Sequence, residues 1–486
     1  MARAEAADAG GGDGSRHFSE KATPTSMAHP GKGETPGEAE AHWRRRRKHV
    51  LVLTSSGRPV WSRYGDENEL AAFVASLQAL CAFAEDGSDT LHSFYVGDAC
   101  FAFLHRGPLL LVAIASNGEH ERQLLRQLTL LHSQLVAVLT ARLERPFRNK
   151  AGYDLRPLLV GSDPLLQSLC RCFTWDPSTW LRSVQSLPLA EEPRRRTRKA
   201  LYALTSDEAV CHAFLATDCS LIALANARGL SLASTDLILL LNMVRSYGSR
   251  RQGGSMVPVC LQSSLGKDAL AYAHVTAVTQ RVNLVCVCDS PAAVQQISEE
   301  VETVICALST SGDLRSVEEA ASKGGVGVPM PKTATEDSES SVPSFVASPL
   351  WYFVYKRSEL QQFVAPRFQS PLDGRRERKE VLRNFQRLHA NVQGGLEDRP
   401  ERVRYESGDQ MVLLAYVGPT AELYMALDPM TKREEAVAMC HKLTSWLRTK
   451  SEQLFAGYPE PETSKLVMPK PPSLSTLAQS ASNGTL

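Results

Sequence analysis

Residues 48–64 read KHVLVLTSSGRPVWSRY. Positions 49–53 form an unbroken apolar run, 55–59 carry Ser-Ser-Gly-Arg-Pro, and 60–64 are a second run rich in β-formers. Gly and Pro between two such runs specify a tight turn, so the stretch predicts a β-hairpin. Working outward, residues 67–83 set Leu70, Phe73, Val74, Leu77 and Leu80 at helical spacing. Three more strands follow at 90–96, 99–106 and 109–115, punctuated by Gly97-Asp98 and Gly107-Pro108. A helix over about 119–143, with Leu124, Leu128, Leu131, Leu135 and Val138 on one face, closes the unit. The order is strand, strand, helix, strand, strand, strand, helix.

The same order returns further along the chain. Strands at 211–217 and 220–225 flank a Thr217-Asp218 turn, and a helix at 234–247 places Leu237, Leu240, Leu241 and Val244 on one stripe. Strands at 257–262, 270–278 and 281–288 lead to a helix capped by Ser290-Pro291, with Ile297, Val301, Val304 and Leu308 inward. A fainter third pass begins at Leu350. Its helix at 377–392 and its strands at 402–406, 410–417 and 421–427 precede a last helix carrying Val437, Cys440, Leu443 and Leu447. Its opening hairpin is the poorest part, because Gln361-Gln362 and Pro366 interrupt the second strand. The pattern is three copies of one module, an α+β fold of antiparallel sheets flanked by helices. One α+β domain followed by an unrelated domain is the competing reading.

The segments between are of another kind. Residues 1–42 hold no Leu, Ile or Val and cannot offset their ordering entropy by burial. Residues 311–348 read as a disordered linker, with Gly324-Gly325-Val326-Gly327 and an acidic-Ser run at 335–341, and 459–486 as a disordered Pro-rich tail. The expected layout is a disordered 1–47, a first module with trailing helices over 48–200, a second over 201–310, the linker, and a third over 349–458.

Among 486 residues, 54 Lys and Arg balance 53 Asp and Glu, which argues against a nucleic-acid-coating role. The start of the chain, MARAEAADAGGG, lacks the apolar core of a secretory signal. The most apolar stretches, 108–115 and 237–244, are far shorter than the roughly 20 residues that span a bilayer. Eleven cysteines sit mostly within apolar runs, where a free thiol behaves as a small hydrophobe. A reduced, cytosolic protein with only peripheral membrane contact is expected.

The catalytic motifs are missing. There is no G-x-x-x-x-G-K-[ST], no G-x-G-x-x-G after a strand, no H-E-x-x-H and no G-x-S-x-G. The C-x-C pairs at 170–172 and 286–288 lack the second ligand pair that a structural zinc site needs. Both thiols of Cys286 and Cys288 face one side of a strand, which suits core packing. The histidines His92, His105, His132 and His212 lie in or beside apolar elements and read as satisfied, partly buried imidazoles. Neither cofactor nor metal is expected. Two basic runs, 44–48 (RRRRK) and 194–199 (RRRTRK), could meet anionic lipid headgroups, act as a nuclear-import signal, or be solvated surface. In the second run the lipid-facing candidates are Arg194, Arg195, Arg196, Arg198 and Lys199. The 124–138 stripe could be a seam for a partner helix; covering its own sheet is the commoner use. Trp, Tyr and Arg beside the first hairpin's turn are the types enriched at interaction hot spots, although they also suit an ordinary hairpin packed on its helix.

Residues 48–66, together with 145–156, 221–226 and the stretch from 353–357 to Ser370-Pro371, resemble the Mon ("Mon-one") vacuolar fusion proteins. The likeness covers about 48–310 and 350–458 and is most specific in the opening hairpin. It implies three longin modules, each a five-stranded antiparallel sheet flanked by helices. It further implies one subunit of an obligate heterodimer with a Ccz-type tri-longin partner, together a guanine-nucleotide exchange factor for the late-endosomal and vacuolar Rab GTPase. Recruitment by the early-endosomal Rab and by phosphatidylinositol 3-phosphate, and roles in endosome maturation and in vacuole, lysosome and autophagosome fusion, belong to the same implication. An exchange factor makes no covalent bond, which fits the missing catalytic motifs. On this resemblance Arg58, Pro59, Trp61, Arg63, Tyr64 and Asp66 lie near the GTPase or partner surface.

Overall fold

The structure, a computed structural model, describes residues 43–65, 70–86, 89–139, 154–206, 209–247, 255–266, 269–322, 349–393 and 402–457. Asp66, the run at 335–341 and the segments 1–42, 323–348 and 458–486 lie outside these.

The first sheet is built from β1 (Lys48–Thr54), β2 (Pro59–Ser62), β3 (Ser93–Val96), β4 (Ala99–Arg106) and β5 (Leu109–Ala115). Its spatial order is β2-β1-β5-β4-β3, antiparallel throughout. Every residue of β1 and β5 is buried, because a helix covers each face of the sheet. Leu51, Leu53, Val112 and Ile114 meet α1 (Ala71–Asp86) through Val74, Leu77 and Cys81. Val50, Val52, Leu111 and Ala113 point the other way, into the core of α2 (Glu121–Leu139). Central strands sandwiched in this way read as continuous apolar runs rather than alternating ones.

A connecting region follows, with α3 (Asp163–Trp175), α4 (Ser178–Leu181), the two-residue β6 (Val184–Gln185) and α5 (Glu191–Leu204). The second sheet, order β8-β7-β11-β10-β9, comprises β7 (Val210–Ala216), β8 (Leu221–Asn226), β9 (Ser255–Val259), β10 (Ala271–Ala277) and β11 (Asn283–Cys288). On one face lies α6 (Ser234–Tyr247); on the other lie α5, α7 (Pro291–Thr310) and α8 (Asp313–Ser322). Helix α7 starts as read from the sequence: Ser290 Oγ accepts from the Ala293 N–H at 3.3 Å, with Pro291 at the first turn.

The third sheet holds β12 (Leu350–Arg357), β13 (Gln362–Val364), β14 (Arg402–Ser407), β15 (Val412–Val417) and β16 (Ala421–Leu427), faced by α9 (Arg375–Gln393) and α10 (Arg433–Thr449). A short α11 (Ser451–Leu454) follows. This sheet has six strands, not five, in the order β14-β15-β16-β12-β13-β6, because β6 joins it in parallel. Gln361, at a φ of 50°, turns the chain sharply and leaves β13 only three residues.

Three expectations need correction. Helix α5 belongs to the second module rather than to the first, since Leu201 and Leu204 pack with Val210, Ala213 and Ile222. Residues 313–322 of the expected linker form α8, which buries Val317 and Ala321 against α7 and α5. Trp43, placed in the disordered start, rests its ring 4.0 Å from His49 and 5.3 Å from Phe73. The α2 stripe does two jobs: it covers its own sheet and shares one core with α3 and α6 of the second module. Asn242 crosses that seam, donating to Gln134 Oε1 at 3.0 Å and to the Leu165 carbonyl at 3.1 Å.

Candidate interaction surface

The opening hairpin is held from within. The Arg58 N–H donates to Thr54 Oγ1 at 3.0 Å, and Gln78 on α1 donates to the Ser55 carbonyl at 2.9 Å. Gly57 takes a φ of 79° at the turn, a conformation that favours glycine. Arg58 is exposed; Pro59, Arg63 and Tyr64 are half-buried at the surface. The Tyr64 ring is flanked by the guanidinium groups of Arg46 and Arg63, 4.9 and 5.0 Å from its centre. Trp61 is turned inward, contrary to its expected place at the surface: its indole N–H donates to Asp163 of α3 at 2.8 Å. An indole bonded to a neighbouring helix locks the hairpin onto the core.

Beside the hairpin lies a surface that periodicity did not reveal. Helix α1 reads AAFVASLQALCAFAED and has no charged residue before its last two positions. Alanine favours the helix strongly, so the segment forms without a salt-bridged outer face. Ala71, Ala72, Ala75, Ala79 and Ala82 face solvent, with Leu80 47% and Phe83 82% exposed. Leu80, read from spacing as an inward residue, therefore lies outside. The neighbouring β3 is an open sheet edge, and its Tyr95 and Val96 are 54% and 61% exposed. The signal was in the sequence: an uncharged stretch over 71–84 is unusual on a helix meant to meet water on one side.

The second basic run divides by side chain. Arg194 is buried and donates to the carbonyls of Ile222, Leu187 and Gln453 at 2.9, 2.6 and 3.0 Å. Burial, with Arg198 as a lesser cause, pushes its guanidinium down to about 9. It is a bracket between modules and is withdrawn from the lipid-facing set. Arg196 grips Asp313 of α8 with two nitrogens at 2.9 and 2.7 Å, and Arg195 pairs with Glu192 at 3.1 Å. Arg195, Arg196 and Lys199 are exposed and Arg198 is half-buried. In the first run Arg44–Arg47 are exposed, whereas Lys48 is buried with Glu119 and Gln127 as partners. Lys379 on α9 is held below its usual range by burial first, then by Arg383, Arg375, Arg47 and Arg63. The arginines before β1 thus act electrostatically on a basic face of the third module.

Nothing here forms a reactive centre. Among the described residues no three His, Cys, Asp or Glu side chains come together as metal ligands. All the cysteines are free, and burial pushes Cys172 and Cys440 up to about 12. Cys286 and Cys288 lie together in the second module's core. His212, inside the second sheet, is bonded to Asn226 at 2.9 Å. Among the described residues no helix is long and apolar enough to cross a membrane.

The architecture has close counterparts in known proteins. Family models described as the first, second and third longin domains of FUZ, MON1 and HPS1 match residues 48–169, 208–306 and 349–451, in that order. The vacuolar fusion protein MON1 homolog of Arabidopsis thaliana is 31% identical over 441 residues, covering 88% of this chain and 72% of its own. The MON1 homolog A of Bos taurus is 30% identical over 436 residues, with 87% and 74% covered. The human MON1 homolog B is 32% identical over 475 residues, with 93% and 82% covered. Three longin domains in series and relatives aligned along most of both chains place this chain in the MON1 family of vacuolar fusion proteins.

Proposed function

We infer that this chain acts in vacuolar fusion as one subunit of a guanine-nucleotide exchange complex. Its first longin module pairs with a homologous Ccz-type subunit, and the pair acts on the late-endosomal or vacuolar Rab GTPase. The observation that carries this reading is the uncharged outer face of α1 beside the open edge of β3. Exposed Leu80, Phe83 and Val96 offer the apolar core of an interface, and the strand edge offers unpaired backbone groups. The names of the relatives, vacuolar fusion proteins, favour the same setting.

Exchange by such a surface is a matter of linkage. A complex that binds the emptied GTPase more tightly than the filled one weakens the nucleotide's hold by the same factor. A preference of about 4 kcal/mol loosens GDP about a thousandfold. Recruitment follows as a second part of the proposal: the early-endosomal Rab and a phosphoinositide-containing membrane draw the complex to endosomes, late endosomes and vacuoles. The exposed arginines before β1 and the basic face of α9 support a role for anionic lipid.

The test is release of labelled GDP from the late-endosomal Rab. With its partner the chain accelerates release; alone it leaves the intrinsic rate nearly unchanged. Full activity of the isolated chain would rule out a shared site. Stronger binding to the GTP-loaded than to the nucleotide-free GTPase would favour a non-catalytic effector or scaffold instead.

A further inference from the structure

A cavity of about 450 Å³ opens where the three longin modules meet. The first module supplies Trp175 and Asp176 at the end of α3, the second supplies Asp218 and Arg245, and the third supplies Tyr352 and Phe363. That size falls within the range of small-molecule sites. Its wall is mainly apolar and aromatic: Tyr352 stacks on Phe368, another wall residue, with ring centres 4.0 Å apart and planes 10° apart.

The charged groups in the wall are already spoken for. Arg245 donates to Asp176 at 2.9 Å, to the Asp218 carbonyl at 3.0 Å and to Cys172. Asp176 also accepts from the Ser178 N–H at 3.0 Å. This pair closes on itself, so the cavity has no need of a counter-ion. Two hydrogen-bond donors are left over. Gln185 of β6 is 5% exposed, and its side-chain nitrogen has no partner among the described residues. The Tyr352 hydroxyl likewise has none, and burial together with Asp176 keeps it protonated as a donor. A buried donor left unpaired costs about 1–3 kcal/mol, so its persistence beside an open apolar space points to an acceptor that comes from outside.

We propose that this three-module junction is a binding site for an uncharged ring compound carrying a carbonyl or similar acceptor oxygen. The rings lie against the aromatic wall in offset stacking, and the oxygen accepts from Gln185 and Tyr352. Because each module contributes wall, an occupant clamps the three together and raises the stability of the whole chain by mass action.

The experiment uses the full chain, with flavone as probe and its carbonyl-free parent flavan as control. Flavone is expected to bind with one-to-one stoichiometry by calorimetry and to raise the melting temperature as its concentration rises. Ala365→Trp, which fills the cavity, should weaken flavone at least tenfold. Gln185→Leu should weaken flavone several-fold while leaving flavan unchanged. The proposal is overturned if flavone does not bind up to its solubility limit, or if Gln185→Leu weakens both compounds alike. It is also overturned if a folded Ala365→Trp chain binds flavone as the parent does, or if oleate binds and neither ring compound does. Should Ala365→Trp fail to fold, by circular dichroism, the Gln185→Leu comparison decides alone.

Discussion

The first helix of each longin module occupies the same place in the fold and meets a different fate. In the second module α6 is engulfed: residues 236–244 are all buried, between its own sheet and the core of α2 and α3. In the third module α9 buries Val381, Phe385 and Leu388 and docks on the first module, where Gln386 donates to the Phe173 carbonyl at 2.9 Å. Its outer positions Arg375, Arg376 and Arg387 are charged and exposed. In the first module α1 has neither an internal partner over its outer face nor charge upon it. A helix that has finished its packing carries charge outward; one that has not carries Leu80 and Phe83. That contrast is the strongest ground for assigning α1 to a partner from outside.

The contrast can be broken in several ways, in descending size. Leu240→Ala in α6 should cost about 2–5 kcal/mol of stability in urea titration, because that helix is core for two modules. Replacing Arg194 by Met strands three backbone carbonyls and should cost about 3 kcal/mol by the same measurement. Leu80→Asp with Phe83→Asp on α1 should leave urea stability within about 0.5 kcal/mol per site. The same pair should weaken partner binding by about a hundredfold in calorimetry. If the double variant instead unfolds the chain, or binds its partner normally, the outer face of α1 is not an interface.

A pH experiment sharpens the same comparison. His389, on the inner face of α9, is pushed down to about 4 by burial, which Glu422 only partly opposes. The unfolded imidazole takes up a proton near 6.5 while the folded one does not, so the unfolded state binds more protons between these values. Stability is therefore full above about pH 6.5 and declines as pH falls toward 4, by on the order of 2 kcal/mol at pH 5. His389→Phe should flatten that part of the profile, whereas no substitution on the outer face of α1 should touch it. The smallest effect concerns lipid. Arg45→Ala and Arg47→Ala should each weaken binding to anionic vesicles by about 1 kcal/mol, with the loss vanishing at high salt.

The triplicate plan was legible because its signals are local. Period-two and period-3.6 patterns, turn glycines and the Ser290-Pro291 cap are all set by neighbours in sequence. What escaped reading depends on contacts between distant residues. Strand β6 is two residues long and exists only because β13 lies beside it. Arg194 looks like its exposed neighbours in an RRRTRK run, and only the arrangement of three modules makes it internal. Helix α8 has a sparse apolar stripe, Leu314, Val317 and Ala321, too thin to stand out without α7 and α5 to cover it. At the candidate surface, spacing assigned Leu80 to the interior and residue type drew Trp61 to the exterior; the fold reversed both. The absence of charge along α1 was the better guide.

The few residues around β6 have a consequence for dissection of the chain. The N–H of Val184 and that of Ser186 bond to Gln361 and Phe363 of the third sheet, each at 2.9 Å, while the Leu187 N–H bonds to Leu221 at the rim of the second at 2.8 Å. One short ribbon thereby caps two raw strand borders at once. A shortened protein beginning after this ribbon would expose both borders and invite clumping through strand addition, whereas one beginning at α4 would keep them covered. The chain's natural cleavage planes are therefore not its longin boundaries.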